Sequence, residues 1–244
     1  MDISIKKDLT SNWFELLQNA ICDDILKIEK NKVNFQSTSW KRNNKKDEGG
    51  GEYRILKNGK IFEKVGVNFS KVYGKFPKQF QKNIPGAIKD PRFWASGISV
   101  VMHMQNPHIP AMHFNTRFIC TTKNWFGGGI DVTPAIKDNT ENKNFHKVLK
   151  FMCDKHNKNY YKKYKKWCDE YFYLPHRKER RGIGGIFFDY KNDNFKKDFK
   201  FIRDVGITFQ VIFNEIIKKK IKKKWTLKDK EFQYIKRGRY AEFN

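Results

Sequence analysis

Five polar side chains in one short stretch, Ser99, His103, His113, Asn115 and Arg117, can together bind an anion and move a proton. The stretch GISVVMHMQNPHIPAMHFNTRFIC, Gly97 to Cys120, reads as two strands joined by a turn that holds two prolines. Strand side chains alternate between faces. On the first arm Ile98, Val100 and Met102 therefore share one face, while Ser99, Val101 and His103 share the other. On the second arm Met112, Phe114, Thr116 and Phe118 oppose His113, Asn115, Arg117 and Ile119. The solvated side of an antiparallel sheet also alternates in this way. Surfaces elsewhere in this chain, however, are written in Lys and Asn, and no Lys occurs between Gly97 and Cys120.

Further groups flank this hairpin. Asp131 follows three glycines in WFGGGIDVTP, read as a Gly-rich turn that something approaches closely. Arg177, Arg180 and Arg181 cluster in HRKERRG, and arginine forks suit carboxylates; an ion-pair network with Asp169, Glu170 and Glu179 is the alternative. All six histidines lie between residues 103 and 176. They show no H-E-x-x-H spacing, and His108 and His156 are read as structural.

The elements that position these groups are legible from periodicity. Helices are expected over Asp8–Lys30, capped by Thr10 or Ser11, and over Asn139–Asn157, Asn159–Tyr173, Asn194–Lys220 and Leu227–Tyr234. Strands are expected over Val33–Trp40, over a hairpin turning at Asn58-Gly59 as type I′, over Ile183–Asp189 and from Arg239 to Phe243. Lys41–Gly51 reads as a polar loop.

The chain of 244 residues is long enough for one large core, and 22 phenylalanines exclude a disordered chain. Four cysteines without a C-x-x-C pair argue against structural zinc and against a disulfide framework. No apolar run spans a bilayer and no signal peptide opens the chain, so a cytoplasmic protein is expected. The net charge of +25 favours an acidic partner. A basic nucleic-acid-binding protein is one reading of that charge, but no zinc finger, RNP motif or basic heptad accompanies it.

Four strings, SGISVVMHMQNPHIPAMHFNTRF, WFGGGIDVTP, YKKWCDEYFYLPHRKERRGIGGIFFDY and RGRYAEFN, with GVNFSKVYG before them, resemble oxygen-dependent coproporphyrinogen III oxidases. The resemblance implies an α+β fold, a large mostly antiparallel β-sheet flanked by α-helices on both sides. It implies aerobic oxidative decarboxylation of two propionates to vinyls. The substrates are coproporphyrinogen III and dioxygen, with no cofactor required, no nucleic-acid partner and a homodimeric assembly. By position, His113 is the proton donor and Asp131 holds pyrrole N–H groups. Ser99, Asn115, Thr116 and Arg117 bind substrate, and Arg177 and Arg181 clamp propionates. His103, His113, His146 and His176 match positions assigned to a divalent metal in bacterial members. The family continues past the last string with a substrate-contacting, dimer-forming segment. The expectation is therefore a single domain over 1–244 that lacks it, either active or a porphyrinogen-binding relative impaired in turnover.

Overall fold

The computed structural model describes residues 1–243, the side chains of Tyr240, Ala241 and Phe243 excepted. In chain order its elements are α1 (Ile3–Ile28), β1 (Gln36–Lys41), β2 (Gly49–Lys57), β3 (Phe62–Lys75), the single turn α2 (Lys78–Gln81), β4 (Arg92–Met104), β5 (Ala111–Cys120) and β6 (Asn124–Thr133). Then come α3 (Asn139–Asp154), α4 (Tyr160–Tyr171), β7 (Tyr173–Leu174), β8 (Glu179–Arg180), β9 (Gly185–Lys191), α5 (Phe195–Lys220) and α6 (Leu227–Phe243). One antiparallel sheet runs β1-β2-β3-β4-β5-β6-β9, and β7-β8 form a separate pair. The expected α+β class, with helices on both sides of the sheet, holds.

Alternation along the central strands gives the sheet one fully closed face. Met102, Met112, Val100, Phe114 and Phe118 are buried there against Phe14, Leu17 and Ile21 of α1 and Phe201, Val205, Phe209 and Phe213 of α5. Phe114 stacks on Phe209 with ring centroids 4.9 Å apart. Burial of so many large apolar side chains, each contributing about 1.5–3 kcal/mol, holds the sheet flat against these helices. Helix α4 packs along the edge strand β9, with Tyr164 against Phe188 and Tyr171 stacked on Phe187. Helix α6 crosses one end of the opposite face. Lys230 and Arg237 hold Glu63 of β3, and Gln233 donates to the Met104 carbonyl.

Several local expectations are corrected. Helix α1 begins at Ile3 with Asp2 as its cap, and Thr10 and Ser11 are buried within it; the Thr10 hydroxyl donates back to the Lys6 carbonyl. The β2–β3 connection is not a two-residue type I′ turn. Only Asn58 has positive φ, and Glu29 from the end of α1 accepts the backbone N–H groups of Lys60, Ile61 and Phe62 at 2.9, 2.9 and 2.7 Å. Gly49–Gly51 and Gly127–Gly129 are strand residues rather than loop or turn residues; Gly50, Gly51, Gly128 and Gly129 pair with neighbours on both sides, and Gly49 and Gly127 on one. The segment expected as a strand from Arg239 is the last part of α6. Its described side chains reach their partners at helical spacing, Arg239 to Glu179 and Glu242 to Arg177. Asn244 lies outside the described residues.

Candidate active site

Cross-strand pairing lays the polar residues out in rows on the sheet face that α1 and α5 leave open. One row is Asn68–Ser99–Asn115–Gly129–Phe187, and the next is Gly66–Val101–His113–Asp131–Gly185. A third contains Ser70, Gly97, Arg117 and Gly127. Adjacent strands are about 4.8 Å apart and residues two apart on one strand about 6.7 Å, so these rows form a patch the size of a macrocyclic ligand. The sequence expectation that Ser99, His113, Asn115 and Arg117 share one face holds, and Asp131 of β6 joins them there. Ser99 is exposed, and Asn115 and Arg117 are half-buried.

At the deepest point of this face His113 Nδ1 donates to Asp131 Oδ2 at 3.0 Å, and Arg181 Nη2 donates to the same oxygen at 2.8 Å. All three residues are nearly enclosed, at 7%, 6% and 7% exposure. Burial alone would raise the Asp131 pKa, but the charges and hydrogen bonds of His113 and Arg181 outweigh it and hold the carboxyl below its ordinary value. Asp131 is thus kept as a carboxylate in a dry place. The Nδ1 bond fixes the His113 ring and its tautomer. Next to it, burial and the charge of Arg237 push His103 down to about 4, which keeps that imidazole neutral.

Arg181, expected to clamp a propionate, is turned inward. Its guanidinium serves Asp131 and lies over the Phe172 ring, 3.8 Å from the centroid. Thr116, expected to bind substrate, lies on the other face. It sits on the closed face opposite Ile98 and Gly128 at 1% exposure, with no partner for its hydroxyl among the described residues, because strand alternation turns it away from its neighbours Asn115 and Arg117. Arg177 and His176 are exposed and both bind Glu242 on α6, at the rim rather than on the floor. Three of the four histidines expected as a metal set have separate partners: His113 bonds Asp131, His146 the Ile183 carbonyl and His176 Glu242. Among the described residues no group of three His, Cys, Asp or Glu is placed to hold a metal ion.

Asp189 was not singled out by sequence. It accepts from Arg117 Nη2 at 2.6 Å, across 72 positions of chain. A bulge places it there. Phe126 pairs with Lys191 and Gly128 with Phe188, so Asp189 and Tyr190 together oppose Gly127, and Tyr190 has φ of 54°. Gly127 makes the room: a Cβ there would lie 2.4 Å from Asp189 Oδ1. The string GIFFDY preceding a break in alternation was the available signal. The cavity beneath α6, bordered by His103 and Ala111, holds only about 20 Å³, too little for a large ligand.

The family model described as coproporphyrinogen III oxidase matches residues 10–244. The chain belongs to the coproporphyrinogen III oxidase family. Among its relatives, the oxygen-dependent coproporphyrinogen-III oxidases of Rickettsia akari (strain Hartford) and Rickettsia prowazekii (strain Madrid E) are each 50% identical over 98% of this chain and 87% of their own length. That of Rickettsia bellii (strain RML369-C) is 49% identical over the same shares. The coproporphyrinogen III oxidase match covers every strand of the sheet and every residue of the patch described above. Among the described residues no helix is long and apolar enough to cross a membrane.

Proposed function

We propose that the open sheet face binds coproporphyrinogen III and that the chain oxidatively decarboxylates two of its four propionates, giving protoporphyrinogen IX for haem synthesis. Each cycle converts one propionic acid side chain and one dioxygen into a vinyl group, one carbon dioxide and one hydrogen peroxide. The carboxylate leaves as carbon dioxide, and two electrons and two protons pass to oxygen. The electron-rich pyrrole is the reductant, so the reading assigns the oxidising power to dioxygen itself and requires no flavin or redox metal.

The observation that carries this reading is the Asp131–His113–Arg181 cluster at the foot of an otherwise open polar face. Pyrrole N–H groups are donors that need a buried acceptor, and Asp131 is held ionised for that purpose. His113, oriented through Nδ1, moves a proton at Nε2. Arg117, steadied by Asp189, binds a propionate, with Ser99 and Asn115 as hydrogen-bonding neighbours. Arg177 serves a propionate at the rim. Arg181 acts through Asp131 as a positioning residue. The protein works as a homodimer in the cytoplasm.

Aerobic incubation of the purified protein with coproporphyrinogen III, followed by oxidation and chromatography, should yield protoporphyrin IX with one hydrogen peroxide per vinyl group. Complete recovery of coproporphyrin from a folded preparation would refute the assignment.

A further inference from the structure

Five glycines in these rows point their missing side chains into the open face, and four of them have a reason inside the protein. A Cβ at Gly97 would come within 2.8 Å of the Thr116 carbonyl, at Gly127 within 2.4 Å of Asp189 Oδ1, at Gly129 within 2.5 Å of the Ile186 carbonyl and at Gly185 within 1.9 Å of the Ile130 carbonyl. Gly66 differs. A Cβ there would meet nothing within 4 Å among the described residues, and its φ lies in the region open to any residue. A glycine in the interior of a strand weakens it, so its presence without a steric or conformational need calls for another cause.

The surroundings indicate that cause. Gly66 lies between Ile55 of β2 and Val101 of β4, both half-buried, which makes an apolar strip on a face that is polar elsewhere. The strip lies in the same row as His113 and Asp131, about 10 Å from the former by strand spacing. Two residues along β3, Asn68 shares the face, and its Oδ1 is buried with no protein donor among the described residues. Buried acceptors are nearly always satisfied, so this one awaits a donor from outside the chain.

We propose that Ile55, Gly66 and Val101 form the floor on which the body of the tetrapyrrole rests, and that the bare backbone at Gly66 sets how closely the ring approaches the sheet. This rests on the porphyrinogen reading of the face. One side of the apolar ring covers the strip, while its pyrrole N–H groups and the reacting propionate meet the Asp131 and His113 end of the same row. A side chain at Gly66 lifts the ring and weakens binding without touching the proton-transfer groups.

The test is Gly66→Ala and Gly66→Val, compared with wild type in thermal unfolding and in steady-state turnover of coproporphyrinogen III. With no neighbour to displace, both variants should melt at or above the wild-type Tm, Val above Ala because it favours strands. KM should rise about three-fold for Ala and about ten-fold for Val, with kcat within about two-fold, as expected for loss of uniform binding. An unchanged KM in a folded variant, or a lowered Tm, overturns the proposal; the second outcome would make Gly66 a packing residue. If Gly66→Val does not fold, the same criteria apply to Gly66→Ala. A wild-type protein without turnover would strike the proposed function instead. The floor is then read from quenching of coproporphyrin fluorescence, expected to need about ten-fold more Gly66→Val than wild-type protein. Equal quenching by the two overturns it.

Discussion

The two faces of the central sheet are built by the same strands and alternate residue by residue, yet they follow opposite rules. On one, Val100, Met102, Met112, Phe114 and Phe118 are closed over by α1 and α5 until almost nothing is exposed. On the other, Ser99 remains exposed, Asn115 and Arg117 are half-covered, Gly66 leaves a gap, and charged groups are enclosed only where they pair. Both faces also hold buried ion pairs, Lys191–Asp198 under the helices and Arg181–Asp131 in the cleft. The first lies beside the rings of Tyr160 and Phe201. The second shares its carboxylate oxygen with a histidine. The difference teaches that the working face is marked less by polarity than by where the chain withholds packing.

The sharpest break of this comparison is His113→Ala. It should lower kcat by about 10²–10⁴-fold, the usual contribution of a positioned acid or base. Tm should move by only a few degrees, and a large Tm loss would place His113 with the structural face. Its mirror image is Phe114→Ala, one residue along the same strand. That change should cost about 3–5 kcal/mol of stability and lower Tm by roughly 10 °C, with kcat per folded molecule unchanged. Denaturant melts and turnover of the soluble fraction separate the two.

Asp189→Asn should raise KM for coproporphyrinogen III about ten-fold, ~1.4 kcal/mol, with kcat within about two-fold. A lowered KM would instead show that Asp189 competes with substrate for Arg117. Acid titration gives a smaller effect. The Asp131 carboxyl titrates lower folded than unfolded, so its stabilisation is complete above the unfolded pKa and is lost as pH falls through the folded one. Tm should drop more steeply below about pH 4 in wild type than in Asp131→Asn; parallel curves would deny the linkage. Smallest of all, Thr116→Val should leave KM unchanged and hold or slightly raise Tm, because the hydroxyl it removes is buried without a partner.

The central hairpin and its two faces were legible because alternation over β4 and β5 is strict and the turn between them carries two prolines. The long helices were legible from their apolar spacing. The triple glycine of β6 misled, since glycine signals turns locally. Its role as strand residues depends on carbonyls of β5 and β9 pressing against it, which no local pattern shows. Arg239–Phe243 misled for the related reason that its helical form is set by partners, Glu179 and Arg177, some sixty positions earlier. The Asp189–Arg117 and Arg181–Asp131 contacts were hidden in the same way, each being a long-range hydrogen bond. Thr116 shows the converse. Alternation alone placed it on the apolar face, and the family likeness of its neighbours drew it into the site.

One further consequence lies in how α6 is held. Among its described side chains, the apolar Leu227, Phe232, Tyr234 and Ile235 are all exposed. Its attachments are largely ionic, through Glu63, Glu179 and the Glu242 pairing with His176 and Arg177, and Glu63 is held at about 2 against its burial by Arg237 and Lys230. Charge contacts near water weaken as salt is added, whereas the phenylalanine layer beneath the sheet does not. Ionic strength should therefore act on the width of the cleft mouth long before it acts on the melting of the molecule.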